Sequence, residues 1–116
     1  MIHVYMDDAR PRPQGFTLAR TGEECLLLLE LEEVGLLSLD HDMGFDQMNG
    51  LELAKEMVRR SLFAQEIYLH SSSMVARSQM FQALYPYRPE GTRIHTGPVP
   101  EDVLRRIAGE CGEDQV

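Results

Sequence analysis

The chain has 116 residues, 43% of them hydrophobic, and a formal net charge of −8 at pH 7. That length fits one domain able to bury roughly two thirds of its unfolded surface, and no segment is apolar enough to span a bilayer. The acidic balance excludes broad binding to nucleic-acid backbones, because there is no basic excess to release counterions.

Ile2 to Met6 is short, apolar and rich in β-formers, which predicts a buried first strand ending at Asp7 and Asp8. Acids this early interrupt the apolar stretch a signal peptide needs, so a cytoplasmic protein is expected. Pro11 and Pro13 lie between Asp8 and Gly15, remove backbone donors and rule out a full helix there. Phe16 to Ala19 reads as a short edge strand. Thr21 and Glu24 then make a capping-box pattern ahead of Cys25 to Leu31, a helix whose leucine run is expected to be buried on more than one side.

Leu36 to Leu39 is a third strand that runs into Asp40-His41-Asp42, with Gly44 and Asp46 in the loop beyond. Asn49 caps a helix with Leu51, Ala54, Met57 and Val58 on one face. Ile67 to Leu69 is a fourth strand ending at His70. Ser71, Ser72 and Ser73 supply a turn and cap, Ala76, Met80, Ala83 and Leu84 repeat at helical spacing, and Pro86 stops that helix. Arg93 to Thr96 is a fifth strand. Pro100 starts a last helix with Val103, Leu104, Ile107 and Ala108 inward and Gly109 closing it. One domain over 1–110 and a flexible tail over 111–116 are expected. Cys25 and Cys111 lack zinc-ligand spacing and read as free thiols.

Strands alternating with helices predict a parallel sheet with right-handed crossovers, and five strands predict a three-layer, flavodoxin-like α/β sandwich of order 2-1-3-4-5 whose first helix is reduced to a loop. In that order the first and third strands are neighbours and the switch point lies between their carboxyl ends, where open α/β folds place ligands. Both acidic bursts fall there. Two unit charges about 4 Å apart cost roughly 4 kcal/mol at an effective dielectric near 20, so the cluster implies a cation, protons or a partner.

Asp7, Asp8, Asp40 and Asp42 are hard oxygen ligands suited to Mg²⁺ or Mn²⁺, and added imidazoles favour Mn²⁺, Zn²⁺ or Fe²⁺ over magnesium. His41 and His70 are expected to face the same cleft and to share general acid and base duties. His3 precedes Asp7 by four strand positions, roughly 13 Å at 3.3 Å per residue, and is taken as structural. His95 lies away from the first strand. Of the eleven basic residues all but Lys55 are arginines, which suit bidentate phosphate contact, and Arg10, Arg12, Arg20 and Arg77 stand near the proposed site in the sequence.

Acids after two strands resemble a response-regulator receiver domain, in which such acids hold Mg²⁺ and one aspartate accepts phosphate; Asp40 would be that acceptor. Receivers also use a lysine after the fifth strand, where this chain has Thr96-Gly97-Pro98. The finer spelling resembles the cyclic-phosphate processing receiver-like family, receivers without the first helix. The likeness rests on Asp7-Asp8-Ala9-Arg10-Pro11-Arg12-Pro13-Gln14-Gly15-Phe16, on Asp40-His41-Asp42 with Gly44, on Asn49-Gly50-Leu51, and on His70-Ser71 with Arg77 and Met80. Ser73, Met74 and Ala76 depart from the family's usual asparagine, proline and glycine.

The resemblance implies a role on cyclic phosphates, such as a 2′,3′-cyclic RNA end or a cyclic nucleotide, and with the acidic cluster the leading expectation is a metal-dependent hydrolase that opens a cyclic phosphodiester. Asp7, Asp8, Asp40 and Asp42 would hold the cation, Arg10, Ser71 and Arg77 would grip phosphate oxygens, and Asp40 would be the nucleophile if the route is covalent. The alternatives are a phosphoacceptor switch on Asp40 and a module that binds a cyclic phosphate without turnover.

Overall fold

Val34–Leu39 is apolar except for Ser38, and all six residues are buried, as expected for a strand covered on both faces. This strand, β3, is the centre of a five-stranded parallel sheet. Around it lie β1 (Ile2–Met6), β2 (Thr17–Ala19), β4 (Glu66–Leu69) and β5 (Arg93–Ile94), in the order β2-β1-β3-β4-β5. The computed structural model describes residues 1–44 and 47–114, with side chains through residue 110. Asp46, expected in the loop after β3, lies outside the described residues.

Among the described residues four α-helices cover the sheet: α1 (Gly22–Leu31), α2 (Gly50–Arg60), α3 (Met74–Leu84) and α4 (Glu101–Asp114). Val4, Met6, Leu37, Leu39, Ile67 and Leu69 point to one face, where they pack with Leu26 and Leu29 of α1, Leu53 and Met57 of α2, and Met80 and Leu84 of α3. The other face carries Leu36 and Tyr68, packed with Phe16, Val99 and Ile107 and flanked by Tyr5, Val103 and Leu104. Only α4 covers it. The β1–β2 connection is a loop, as its prolines require, and Phe16 at its end sits edge-on to the Tyr5 ring with centroids 6.0 Å apart. Gly15 lets the loop lie close against α4: its φ is +92°, and a Cβ there would lie 2.8 Å from Ile107. The result is the three-layer flavodoxin-like sandwich without a first helix. Among the described residues no helix is long and apolar enough to cross a membrane.

Several boundaries differ from expectation. β3 starts at Val34, two residues early, because Val34 pairs with Ile2 across a register shift that skips Gly35, and β5 ends at Ile94. Thr21 caps α1 by accepting from the Glu24 N–H, yet the Glu24 carboxylate bonds the N–H of Arg20 and leaves the capping box open. The α1 leucines are not buried all round: Leu27 and Leu31 are 52% and 70% exposed, since α1 packs on the sheet edge. At α2 the box closes, with Asn49 and Glu52 exchanging both bonds. After α3 the chain makes a 3₁₀ turn over Tyr85–Tyr87 around Pro86. Gly109 does not close α4, whose backbone continues to Asp114; an exposed helical glycine costs only about 1 kcal/mol.

Candidate functional site

Met6, Leu39 and Leu69 are partners across three adjacent strands. The residues after them, Asp7, Asp40 and His70, therefore leave the sheet side by side. Ladder bonds continue through all three: Asp7 N–H donates to Ala19, Asp40 N–H to Met6 and His70 N–H to Leu39. Alternation turns the three side chains toward the face that α4 covers, away from the leucine-rich core. One ligand atom from each lies within 4.8 Å of the others, and all three residues are buried.

Asp7 is bound on every side. Its Oδ1 accepts the N–H groups of Ala9 and Arg10, each at 2.9 Å, and its Oδ2 faces Nε2 of His70 at 3.0 Å. Burial pushes its carboxyl up, but these bonds outweigh burial and hold it below the ordinary carboxylate range. Asp40 has less support. Burial raises its carboxyl, the His41 N–H at 2.8 Å opposes this, and the Asp7 charge raises it further, so the net shift is upward. His70 is pulled down by burial despite Asp7, which favours the neutral ring. Its Nδ1 lies 2.6 Å from Ser38 Oγ, and its ring stacks on Tyr5 at 4.4 Å with the planes 6° apart.

The loop after β1 closes over this cluster. Arg10 donates to the His70 carbonyl at 3.2 Å and holds a guanidinium nitrogen 3.8 Å from Asp7 Oδ2, with half of its side chain in solvent. Arg20 donates to the carbonyls of Asp7 and Arg10, so it fixes the loop. Arg12 is exposed.

The four carboxylates do not form one ligand set. Asp8 and Asp42 are exposed and, with His41, Met43, Gly44, Gln47 and Asn49, line an adjoining recess of about 480 Å³. Asp8 accepts the Gly44 N–H, and Asp42 holds Nδ1 of His41 at 3.0 Å. The two imidazoles are thus separated in environment, His70 inside the cluster and His41 on the recess wall. Ser71 is buried, and its Oγ accepts the Ser73 N–H, while Arg77 donates to the Ser71 carbonyl. Both shape the loop before α3. Lys55 is exposed on α2. His3 accepts the Leu36 N–H at the far end of the sheet, and His95 pairs with Glu66 at 2.7 Å.

Two carboxylates and an imidazole suit a divalent ion of the Mn²⁺, Fe²⁺ or Zn²⁺ kind. Donors held about 2.1 Å from an ion stand at most about 4.2 Å apart, so small side-chain rotations would bring this set into range. Ser38 and Tyr5 escaped the sequence reading. A single hydroxyl inside an otherwise apolar central strand was the available signal for Ser38. Tyr5 shares the alternation of Asp7, two residues on.

Residues 2–86 match the family model described as the cyclic-phosphate processing receiver domain. Among solved structures, the receiver domain of the Francisella response regulator 1452 superposes with a TM-score of 0.59 over 96% of each chain at 14% identity. No curated protein sequence matches.

Proposed function

The chain belongs to the cyclic-phosphate processing receiver domain family, and on that premise we propose that it opens a small cyclic phosphodiester by metal-dependent hydrolysis. The observation that carries the reading is the meeting of Asp7, Asp40 and His70 at one sheet edge. These three hold the cation, and Asp8 and Asp42 bound the recess that admits substrate. Bound there, a divalent ion supplies Lewis-acid polarisation of a phosphoryl oxygen and acidifies a water. Arg10, anchored at the His70 carbonyl and half exposed, offers its remaining N–H donors to the phosphate. His41, oriented by Asp42, carries the proton. The water oxygen bonds to phosphorus, one ring P–O bond breaks, and the freed oxygen takes a proton, leaving a phosphomonoester and a hydroxyl.

The test is a panel of 2′,3′-cyclic nucleotides, 3′,5′-cyclic nucleotides and cyclic-ended RNA, incubated with Mn²⁺, Mg²⁺ or Zn²⁺. Turnover of at least one substrate is expected, with His41→Ala slowed about 10²- to 10⁴-fold. No turnover and no binding across the panel would end the reading. Binding without product would leave a sensor of cyclic phosphates.

The receiver fold and the place of Asp40 at the end of the central strand favour a second reading, phosphorylation of Asp40 as a switch. A phosphoryl mass increment at Asp40 after treatment with acetyl phosphate would support it.

A further inference from the structure

We infer that Ser38 is the positioning residue of the buried cluster: its hydroxyl aims Nε2 of His70 at the carboxylates and accommodates both ring tautomers, so the imidazole can change from hydrogen-bond donor to metal ligand. The inference rests on the reading that Asp7, Asp40 and His70 hold a divalent ion. Ser38 is fully buried, the one polar side chain of β3, and its Oγ is 2.6 Å from Nδ1 of His70. The opposite ring nitrogen is 3.0 Å from Asp7 Oδ2. Tyr5, stacked parallel to the ring, removes its freedom to flip.

A carboxylate has no proton to give, so in the metal-free state Nε2 carries the hydrogen and donates to Asp7. Nδ1 is then an acceptor, and Ser38 donates to it. A metal at Nε2 needs that lone pair. The Nε2 proton leaves to water, Nδ1 takes one from water, and the neutral ring keeps one proton throughout. Ser38 then accepts from Nδ1. A serine hydroxyl performs both roles, whereas a backbone carbonyl only accepts and an alanine does neither.

The experiment compares wild type, Ser38→Ala and Ser38→Thr by two readouts: Mn²⁺ affinity from electron paramagnetic resonance, and the ¹⁵N shifts of the His70 ring in metal-free protein. Wild type should show the Nε2–H tautomer. Ser38→Ala should bind Mn²⁺ roughly 10- to 100-fold more weakly at an unchanged circular dichroism spectrum, with the Nε2–H form kept by Asp7 but the Nδ1 shift moved by loss of its hydrogen bond, and Ser38→Thr should restore both. If Ser38→Ala does not fold, Ser38→Cys takes its place, filling the same space with a weak donor and acceptor. Affinity within twofold of wild type, with the Nδ1 shift unchanged, would overturn the role of Ser38 alone. A wild type that binds no Mn²⁺ would overturn the metal reading and this inference with it.

Discussion

Asp7 and His70 are 63 positions apart in the chain, yet Oδ2 of one lies 3.0 Å from Nε2 of the other. The pairing follows from Met6, Leu39 and Leu69 lying level in the sheet.

Replacing Asp40 with asparagine should stabilise the metal-free protein by on the order of 1 kcal/mol, because it removes a charge beside Asp7. Burial and that neighbouring charge already push the Asp40 carboxyl upward, and the amide oxygen can keep the His41 N–H. Excess Mn²⁺ should invert the order, raising the melting temperature of wild type well above that of the variant. Thermal unfolding with and without Mn²⁺ reads both. Identical behaviour of the two proteins in both conditions would remove the carboxylate repulsion and its relief by metal.

Gly50→Ala should cost roughly 1–3 kcal/mol, as overpacking does. A Cβ at Gly50 would lie 2.4 Å from the Asp40 carbonyl, forcing the start of α2 away from the strand that carries the acid. Urea denaturation measures the loss, and metal affinity should fall with it. A variant as stable as wild type would show that the close approach is not required.

Glu66 gives the far end of the sheet a pH dependence. Burial raises its carboxyl, but bonds from His95, Arg93 and Tyr68 outweigh burial and hold it below its ordinary value. A depressed folded pKa adds stability above the unfolded value, about 4.3, and loses it as pH falls through the folded one. Glu66→Gln should therefore be about 1–2 kcal/mol less stable than wild type at pH 7, with the gap narrowing as pH falls below the unfolded value. A gap that does not narrow in acid would contradict this.

The Cys25 thiol is fully buried, and burial pushes it up to about 12. In a Cys111→Ser background it should resist thiol reagents at pH 8 and react only as the protein unfolds, at a rate that tracks denaturant. Rapid stoichiometric labelling of the native protein would contradict that burial.

The strand order was legible because the apolar runs are short and the prolines between Asp8 and Gly15 forbid a helix. The meeting of Asp7, Asp40 and His70 was legible for the same reason, each being the first residue beyond an apolar run. Which acids turn inward was not. Asp8 and Asp42 carry the same charge as their neighbours, but the alternation of the strand points the first polar residue one way and releases the chain into a loop after it. The leucines of α1 misled for a related cause, since five consecutive apolar or near-apolar positions cannot say that the helix rests on a sheet edge and leaves Leu27 and Leu31 in water.

The level alignment of β1, β3 and β4 ties the candidate site to correct assembly. A slip of β3 by one position would rotate Asp40 toward the leucines and bring His41 or Leu39 in its place, since neighbouring strand residues face opposite ways. Misassembled molecules would then lack the buried trio altogether. The stoichiometry of metal bound at the proposed ion site should double as an assay for properly threaded protein.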